Sequence, residues 1–261
     1  MQVDNSENLI QCDLRDGIYT IRFNRPEKKN ALSLDMYRAL VKGLQTADED
    51  DAVRVVLLTG VDGCFTSGND LADFMASPPT GTDSPVMQFL SAISRFRKPI
   101  VAVVTGAAVG VGVTMLLHCD LVYAGNSAVF QMPFVNLGLV PEAGSTLLLP
   151  RIMGHQRAAE LLLLGEPFSA DKACAVGIVT AVVPDHELLA TAREKALQLG
   201  AQPAAAVRLA KALLKREYAA PLQATIVEEG KAFMARLKSP EAGEALQAFM
   251  ERRKPDFSRF A

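Results

Sequence analysis

Residues 100–117 form an unbroken run of eighteen uncharged residues, Ile100-Val-Ala-Val-Val-Thr-Gly-Ala-Ala-Val-Gly-Val-Gly-Val-Thr-Met-Leu-Leu117, and nothing else in the chain restricts its fold as tightly. Its length suits a membrane-spanning helix, and Gly106 and Gly110 make a GxxxG pair. Three features argue against that. No other run of this length is as apolar. It opens on the β-branched stretch Ile100–Val104, which suits a buried strand. It then places three glycines in seven residues, which suits a tight turn and a close approach of backbones. The segment is therefore predicted to be a buried strand, a glycine turn and the start of a helix near Gly112, with no membrane span.

The surrounding pattern agrees. Ile18–Asn24 alternates as a strand and stops at Arg25-Pro26, and Ser33 caps a helix with Leu34, Tyr37, Leu40, Val41 and Leu44 on one face. Val53–Thr59 is nearly all apolar, as in a strand covered on both faces. Residues 60–69 read as a loop, 70–75 as a short helix, 77–85 as a proline-rich loop and 86–95 as a helix. Residues 120–124 and 128–131 read as strands, and 156–164 as helix after Gly144, with helix resuming at Ser169. A last strand covers 179–183, followed by helices over about 186–199, 203–217, 221–236 and 239–253. Strands alternate with helices to about residue 183 and only helices follow, which predicts an α/β core with a helical C-terminal segment. No internal repeat is evident in the residues.

Composition limits the function. With 261 residues, 49% of them hydrophobic, the chain can bury a large core, and 27 basic against 29 acidic residues leave a net charge of −2. A nucleic-acid partner normally asks for a basic face, so none is expected. The four cysteines (Cys12, Cys64, Cys119, Cys174) are widely spaced and read as buried thiols of a reducing compartment. The three histidines have no metal-ligand spacing. The polar N-terminus is neither a signal nor a transit peptide and the chain does not end in Ser-Lys-Leu, so a cytoplasmic location is expected.

Among familiar motifs, Gly110-Val-Gly112 lacks the third glycine of a dinucleotide loop, and neither a P-loop nor a Gly-x-Ser-x-Gly elbow is present. What remains is a glycine turn entering a helix. Such a turn either permits tight packing or presents free N–H groups to developing negative charge.

Four segments in order give that turn a context: Asn24-Arg-Pro-Glu-Lys-Lys-Asn-Ala-Leu32; Cys64-Phe-Thr-Ser-Gly-Asn-Asp-Leu71; Gly106–Gly112; and Phe134-Val-Asn-Leu-Gly-Leu-Val-Pro-Glu-Ala-Gly-Ser-Thr-Leu-Leu-Leu-Pro-Arg151. With the ending Phe249–Phe257, this set resembles the crotonase (enoyl-CoA hydratase/isomerase) superfamily over about residues 8–257. The resemblance implies a spiral of β-β-α turns over residues 1–199 and a helical trimerisation segment over 200–261. It also implies a homotrimer or dimer of trimers, and an acyl-CoA substrate whose coenzyme A is the only cofactor-like group. Two main-chain N–H groups, at Asn69 and Val111, are expected to form an oxyanion hole. Ser67, Gly68, Asp70 and Leu71 are expected to line the adenine and pantetheine path with Ala31, and Lys28 or Lys29, together with Lys254, to meet the phosphates. Gly110, Phe134 and Leu139 are expected around the reacting end.

Hydratases of this superfamily carry one glutamate where this chain has Thr114 and another where it has Phe134, so both of their acids are missing. One acid remains, Glu142, in Leu139-Val-Pro-Glu-Ala-Gly-Ser-Thr146. On local sequence alone it is a loop carboxylate before a helix. In the family frame it resembles the single catalytic glutamate of the peroxisomal-type delta-3,delta-2-enoyl-CoA isomerases, although the peroxisomal ending and an N-terminal acyl-CoA-binding module are absent here. Apolar neighbours (Phe134, Leu137, Leu139, Val140) are expected to desolvate Glu142 and raise its pKa, as a proton shuttle requires. The other readings are an epoxide-to-oxepin isomerase of ring-derived acyl-CoA, a hydratase-like protein, a thioester hydrolase or dehalogenase, and a non-catalytic acyl-CoA-binding protein.

Overall fold

The computed structural model describes residues 9–61, 63–76 and 81–260; residues 77–80 of the expected proline-rich loop lie outside them. Among the described residues, ten strands form two sheets: β1 (Ile10–Arg15), β2 (Ile18–Phe23), β3 (Val55–Thr59), β4 (Cys64–Thr66), β5 (Ile100–Val104), β6 (Ala107–Val109), β7 (Leu121–Gly125), β8 (Val129–Gln131), β9 (Phe168–Ser169) and β10 (Ala181–Val183). The larger sheet runs β1-β2-β3-β5-β7-β10 and the smaller β4-β6-β8-β9. Three consecutive units each give one strand to each sheet: β3 and β4, β5 and β6, β7 and β8. Within each sheet these strands pair in parallel. This is the expected spiral, and it is a structural repeat that residue identities do not reveal.

β1 is not among the strands expected from the sequence. It pairs antiparallel with β2 through the two-residue turn Asp16-Gly17, both at positive φ, a turn whose twist matches that of the strands it joins. The reading also gave 60–69 as loop, whereas Cys64–Thr66 is β4, and residues 107–109 of the glycine turn form β6.

Among the described residues, eleven α-helices surround the sheets. The first, α1 (Leu34–Glu49), begins as expected at Ser33, whose Oγ accepts the Met36 N–H at 3.3 Å. Then follow α2 (Leu71–Ala76), α3 (Pro85–Arg95), and α4 (Val111–Thr114), which tightens into a 3-10 turn over Met115–His118. After Gly144 the chain is helical earlier than expected: α5 (Ser145–Met153) precedes α6 (His155–Ala159) and a wider turn over Glu160–Leu164. Pro150 sits inside α5. The remaining helices are α7 (Ala170–Ala175), α8 (Asp185–Gly200), α9 (Ala204–Lys215), α10 (Ala219–Arg236) and α11 (Pro240–Met250).

Every residue of β3 and β5 is buried, as their unbroken apolar runs require. One face of the larger sheet packs Val55, Leu57, Val101 and Val103 under Leu188, Ala192 and Ala196 of α8. The opposite face, through Val56, Leu58, Ala102 and Val104, joins the main core with α1 and α3. Each of the fully buried valines and leucines among them contributes about 1.5–3 kcal/mol relative to exposure. All four cysteines are free thiols, but only Cys64 is buried. Cys12 is exposed because it lies on β1, an edge strand with one face open to solvent, which corrects the expectation of four buried thiols.

Candidate active site

The smaller sheet and its loops bring the four segments together. Gly110 holds a positive φ of 56° and opens α4. A side chain at Gly112 would put its Cβ 2.6 Å from Thr66, so α4 sits directly on β4. The glycines thus permit close packing, and the turn they make leads into the first amide of a helix. That amide belongs to Val111, whose side chain is buried.

The second amide lies on the segment after β4. Leu32 and Asn69 form a parallel bridge in which the Leu32 N–H donates to Gly68 O and the Asp70 N–H to Leu32 O. Successive N–H groups of an extended chain point to opposite sides, so the Asn69 N–H faces away from Leu32. The Asn69 side chain is fixed by a hydrogen bond from the Tyr37 hydroxyl, a contact that no local pattern signals.

Glu142 is 5% exposed and accepts a hydrogen bond from the Thr114 hydroxyl. It lines a cavity of about 30 Å³ with Asn69, Phe74 of α2, residues of α3 (Val86, Met87, Leu90) and residues of α10 (Ile226, Gly230, Phe233). Burial drives its pKa up, the Thr114 bond pulls it down and the charge of Glu229 raises it again, leaving it at about 8. The apolar surroundings were expected from Glu142's own loop. Phe134 and Leu139 are indeed buried, with Phe134 beside Gly110, but the cavity wall comes from α2, α3 and α10. The spacing 226, 230, 233 marks a buried helical face, yet nothing in the sequence says what that face covers.

Glu142 sits in an unusual piece of backbone. Ala143 and Gly144 both have positive φ, 61° and 74°. Such a pair is strained at the alanine by about 1–2 kcal/mol, so the surroundings must hold it. His118 contacts Ala143 O through Nε2 at 2.9 Å. Burial, and secondarily Lys215, pushes its pKa down to about 4, so the ring is neutral and donates. From the other side, Glu229 of α10 accepts from the Gly144 N–H and from the N–H and hydroxyl of Thr146.

The expected ligand path is partly assembled. The Ser67 N–H donates to Lys29 O, and Asn30 Nδ2 reaches Cys64 O and Phe65 O, so the loop carrying Lys28, Lys29 and Ala31 lies along the Ser67–Leu71 segment. Lys28 and Lys29 are exposed. Asp70 turns inward. Arg25 Nη1 donates to it at 2.7 Å and to Ala31 O at 2.9 Å, and the Asp70 carboxylate also caps α2 at Ala72 and Asp73. Against the upward pull of burial, Arg25 holds the Asp70 carboxyl below its ordinary range. Asp70 thus ties two loops together instead of offering a free oxygen to a ligand. Lys254 is not brought to this group: it is exposed in the segment after α11, whose polar contacts run to Glu244. Among the described residues, no cluster of three His, Cys, Asp or Glu could hold a metal, and no helix is long and apolar enough to cross a membrane.

The family model for enoyl-CoA hydratase/isomerase matches residues 13–259. Enoyl-CoA delta isomerase 2 of Homo sapiens is 36% identical over 245 residues, which are 91% of this chain and 62% of that protein. The chain thus spans about six-tenths of the length of that relative. The 1,2-epoxyphenylacetyl-CoA isomerase of Escherichia coli (strain K12) is 33% identical over 95% of this chain and 98% of its own length. Among solved structures, Pseudomonas aeruginosa OdaA superposes with a TM-score of 0.92 at 50% identity, over 94% of this chain and 99% of that one. With its spiral of strand pairs and its paired loops in place, the chain belongs to the enoyl-CoA hydratase/isomerase family.

Proposed function

We propose that this chain is a delta-3,delta-2-enoyl-CoA isomerase in which Glu142 carries the migrating proton. One observation carries the reading: Glu142 is the single acid among the described residues lining its cavity, and Thr114, beside it, is not ionisable. Adding water across a double bond asks for an acid and a base together. Moving a double bond from C3–C4 to C2–C3 asks only that one group remove a proton at C2 and return it at C4.

In this reading the thioester oxygen accepts from the Asn69 and Val111 amides, which stabilise the dienolate formed when Glu142 takes the C2 proton. The neutral Glu142 then returns that proton to C4, and the carboxylate is regenerated. A pKa of about 8 suits a group that must both take and give a proton near neutrality. Lys28 and Lys29 are proposed to meet the CoA phosphates, and Ser67 to Leu71 to follow the pantetheine arm. No further cofactor is proposed.

A second reading, isomerisation of a ring-derived acyl-CoA, is favoured by the relative named 1,2-epoxyphenylacetyl-CoA isomerase, almost all of whose length the chain covers. The helices after residue 200 are proposed as the assembly segment of a homotrimer or dimer of trimers. Leu209, Leu213 and Leu214 of α9 stand exposed and support this, and analytical ultracentrifugation of the wild type and of L213E/L214E tests it.

The function is tested by following conversion of 3-enoyl-CoA to the conjugated 2-enoyl-CoA in the ultraviolet, with an epoxyphenylacetyl-CoA arm alongside. Turnover of the 3-enoyl substrate that disappears in Glu142→Gln, with CoA-ester binding retained, is expected. Turnover of the ring substrate alone would move the assignment to the second reading, and a fully active Glu142→Gln would end both.

A further inference from the structure

We infer that Glu229, on α10 and outside the cavity, is a positioning residue for the proposed isomerisation: it clamps the Glu142 loop and keeps a negative charge behind the catalytic carboxylate. The inference rests on the proposed role of Glu142 and goes a step beyond it.

The clamp is a matter of geometry. Glu229 Oε2 accepts the Gly144 N–H at 2.5 Å, and Oε1 accepts the Thr146 N–H at 3.0 Å and the Thr146 hydroxyl at 2.6 Å. These are amides at the start of α5, where N–H groups have no partner within the helix and a carboxylate is favoured by the helix dipole. Both oxygens are thereby occupied by the loop. The cavity is lined by Ile226, Gly230 and Phe233, residues of α10 that flank Glu229, while Glu229 itself points to the loop. It has no path to substrate and is not a second acid.

What it holds is the strained turn. Ala143 and Gly144 are both left-handed, and the turn they make sets where the preceding residue, Glu142, points. Gly144 is also pressed against the same helix: a Cβ there would lie 2.2 Å from Leu222 Cδ1. With His118 on Ala143 O, the turn is gripped on its carbonyl side by the core and on its amide side by the C-terminal helical segment. A shift of the carboxylate by about 1 Å relative to the reacting carbons costs on the order of a hundredfold in rate.

The charge acts on the same group. The ionisable groups near Glu142 are few. Tyr37 of α1 is held neutral by burial and His118 is neutral, which leaves Glu229 as the neighbouring charge. Around α10, Arg95 of α3 is bonded to Gln223 and Arg151 of α5 lies over Tyr218, both toward the other end of the helix, and Arg236 pairs with Glu241. Among the described residues no cation is bonded to Glu229; burial pulls its own pKa up, and the bonds from Thr146 and Gly144 pull it down. The carboxylate that grips the turn also raises the proton affinity of Glu142.

The test compares Glu229→Gln, Glu229→Asp and Thr146→Val with wild type in the 3-enoyl-CoA assay, reading kcat, KM and the acid limb of the pH profile, with thermal midpoints as a control. Glu229→Gln removes the charge and one acceptor, so kcat should fall about tenfold to a hundredfold. Its acid limb should move to lower pH by about one unit, with KM little changed. Glu229→Asp keeps the charge but withdraws it from the loop, so kcat should fall while the limb stays near its wild-type position. Thr146→Val loosens the clamp without touching Glu229, and serves should the Glu229 variants not fold; its kcat should fall with an unmoved limb. Wild-type kcat and an unmoved limb in Glu229→Gln overturn the proposal, as does a loss in all three variants confined to thermal midpoint. If Glu142→Gln remains active in the same assay, it is the functional reading that has failed and not the clamp.

Discussion

Thr114, at the end of α4, donates its hydroxyl to the carboxylate of Glu142, so the acid is bonded to the helix whose first amide is that of Val111. The proposed oxyanion donor and the proposed proton carrier are thus fixed to one short element.

That bond has a sign in the pH profile. Burial raises the Glu142 pKa and the Thr114 hydroxyl opposes the rise. Thr114→Val removes the opposition and leaves the carboxylate drier, so the pKa climbs above about 8. A hydrogen bond to a charged group is worth about 1.5–3 kcal/mol, or one to two pH units. The acid limb of kcat/KM should move up by roughly that amount in Thr114→Val and return to its wild-type position in Thr114→Ser. A limb that stays put in Thr114→Val would show that the hydroxyl does not govern the acid.

The same shift predicts a stability change. The folded-state pKa of Glu142, about 8, lies above its ordinary 4.5, so the folded chain holds a proton that the unfolded chain releases. The resulting stabilisation is fully present below about pH 4.5 and is lost as pH rises through about 8. Glu142→Gln carries no such proton and loses nothing over that window. Relative to wild type it should gain stability from pH 5 to pH 9, by at most about 5 kcal/mol. Denaturant midpoints at the two pH values measure the gap, and parallel behaviour of the two proteins would contradict a dry, protonated Glu142.

Much of this architecture is written in local patterns. The unbroken apolar strands β3 and β5, the Ser33 cap and the glycine turn each follow from a short-range rule, and the structure has them where those rules place them. The hairpin at Asp16-Gly17 was just as legible and was overlooked because Ile10–Arg15, exposed along nearly all its length, lacks an apolar face. The site is different. Glu142 stands out only in the family frame, because a carboxylate's burial depends on what packs over it, and that cover comes from α2, α3 and α10. The bonds Tyr37–Asn69, Thr114–Glu142 and Glu229–Gly144 join residues far apart in the chain, and no local periodicity encodes them. Pro150 sits inside α5, and there too tertiary packing decides. Proline removes one hydrogen bond, and tertiary burial of Leu148 and Leu149 outweighs the loss.

Arg25 offers a test of the ligand path that leaves the chemistry alone. It joins Ala31 O to Asp70, and so holds the loop of Lys28 and Lys29 against the segment that carries Asn69. Arg25 and Asp70 are both largely buried at their side chains, so Arg25→Ala leaves a carboxylate without its partner and should destabilise by roughly 2–3 kcal/mol. KM for the CoA ester should rise several-fold, with a smaller effect on kcat, because Glu142 and its bonds are untouched. Equal losses in kcat and kcat/KM would show that the loop pair sets the reacting geometry and not only ligand binding.

Gly230 separates stability from function. It lies inside α10 and lines the cavity, and a Cβ there would sit 2.9 Å from the Met87 sulfur and methyl. In a helix interior, alanine is favoured over glycine by about 0.5–1 kcal/mol, and the end of a methionine moves easily, so Gly230→Ala should fold at least as well as wild type. The space Met87 moves into is the cavity of about 30 Å³ over Glu142, which has room for little more than one water. The variant should therefore lose kcat/KM on long acyl chains, by about tenfold for each 1.4 kcal/mol of lost contact, and keep it on the shortest. A panel of 3-enoyl-CoA esters of increasing length, run beside thermal melts, reads both effects at once. A uniform loss across the panel would place the acyl chain elsewhere, because only an occupant of this cavity can sense the displaced methionine in proportion to its own length.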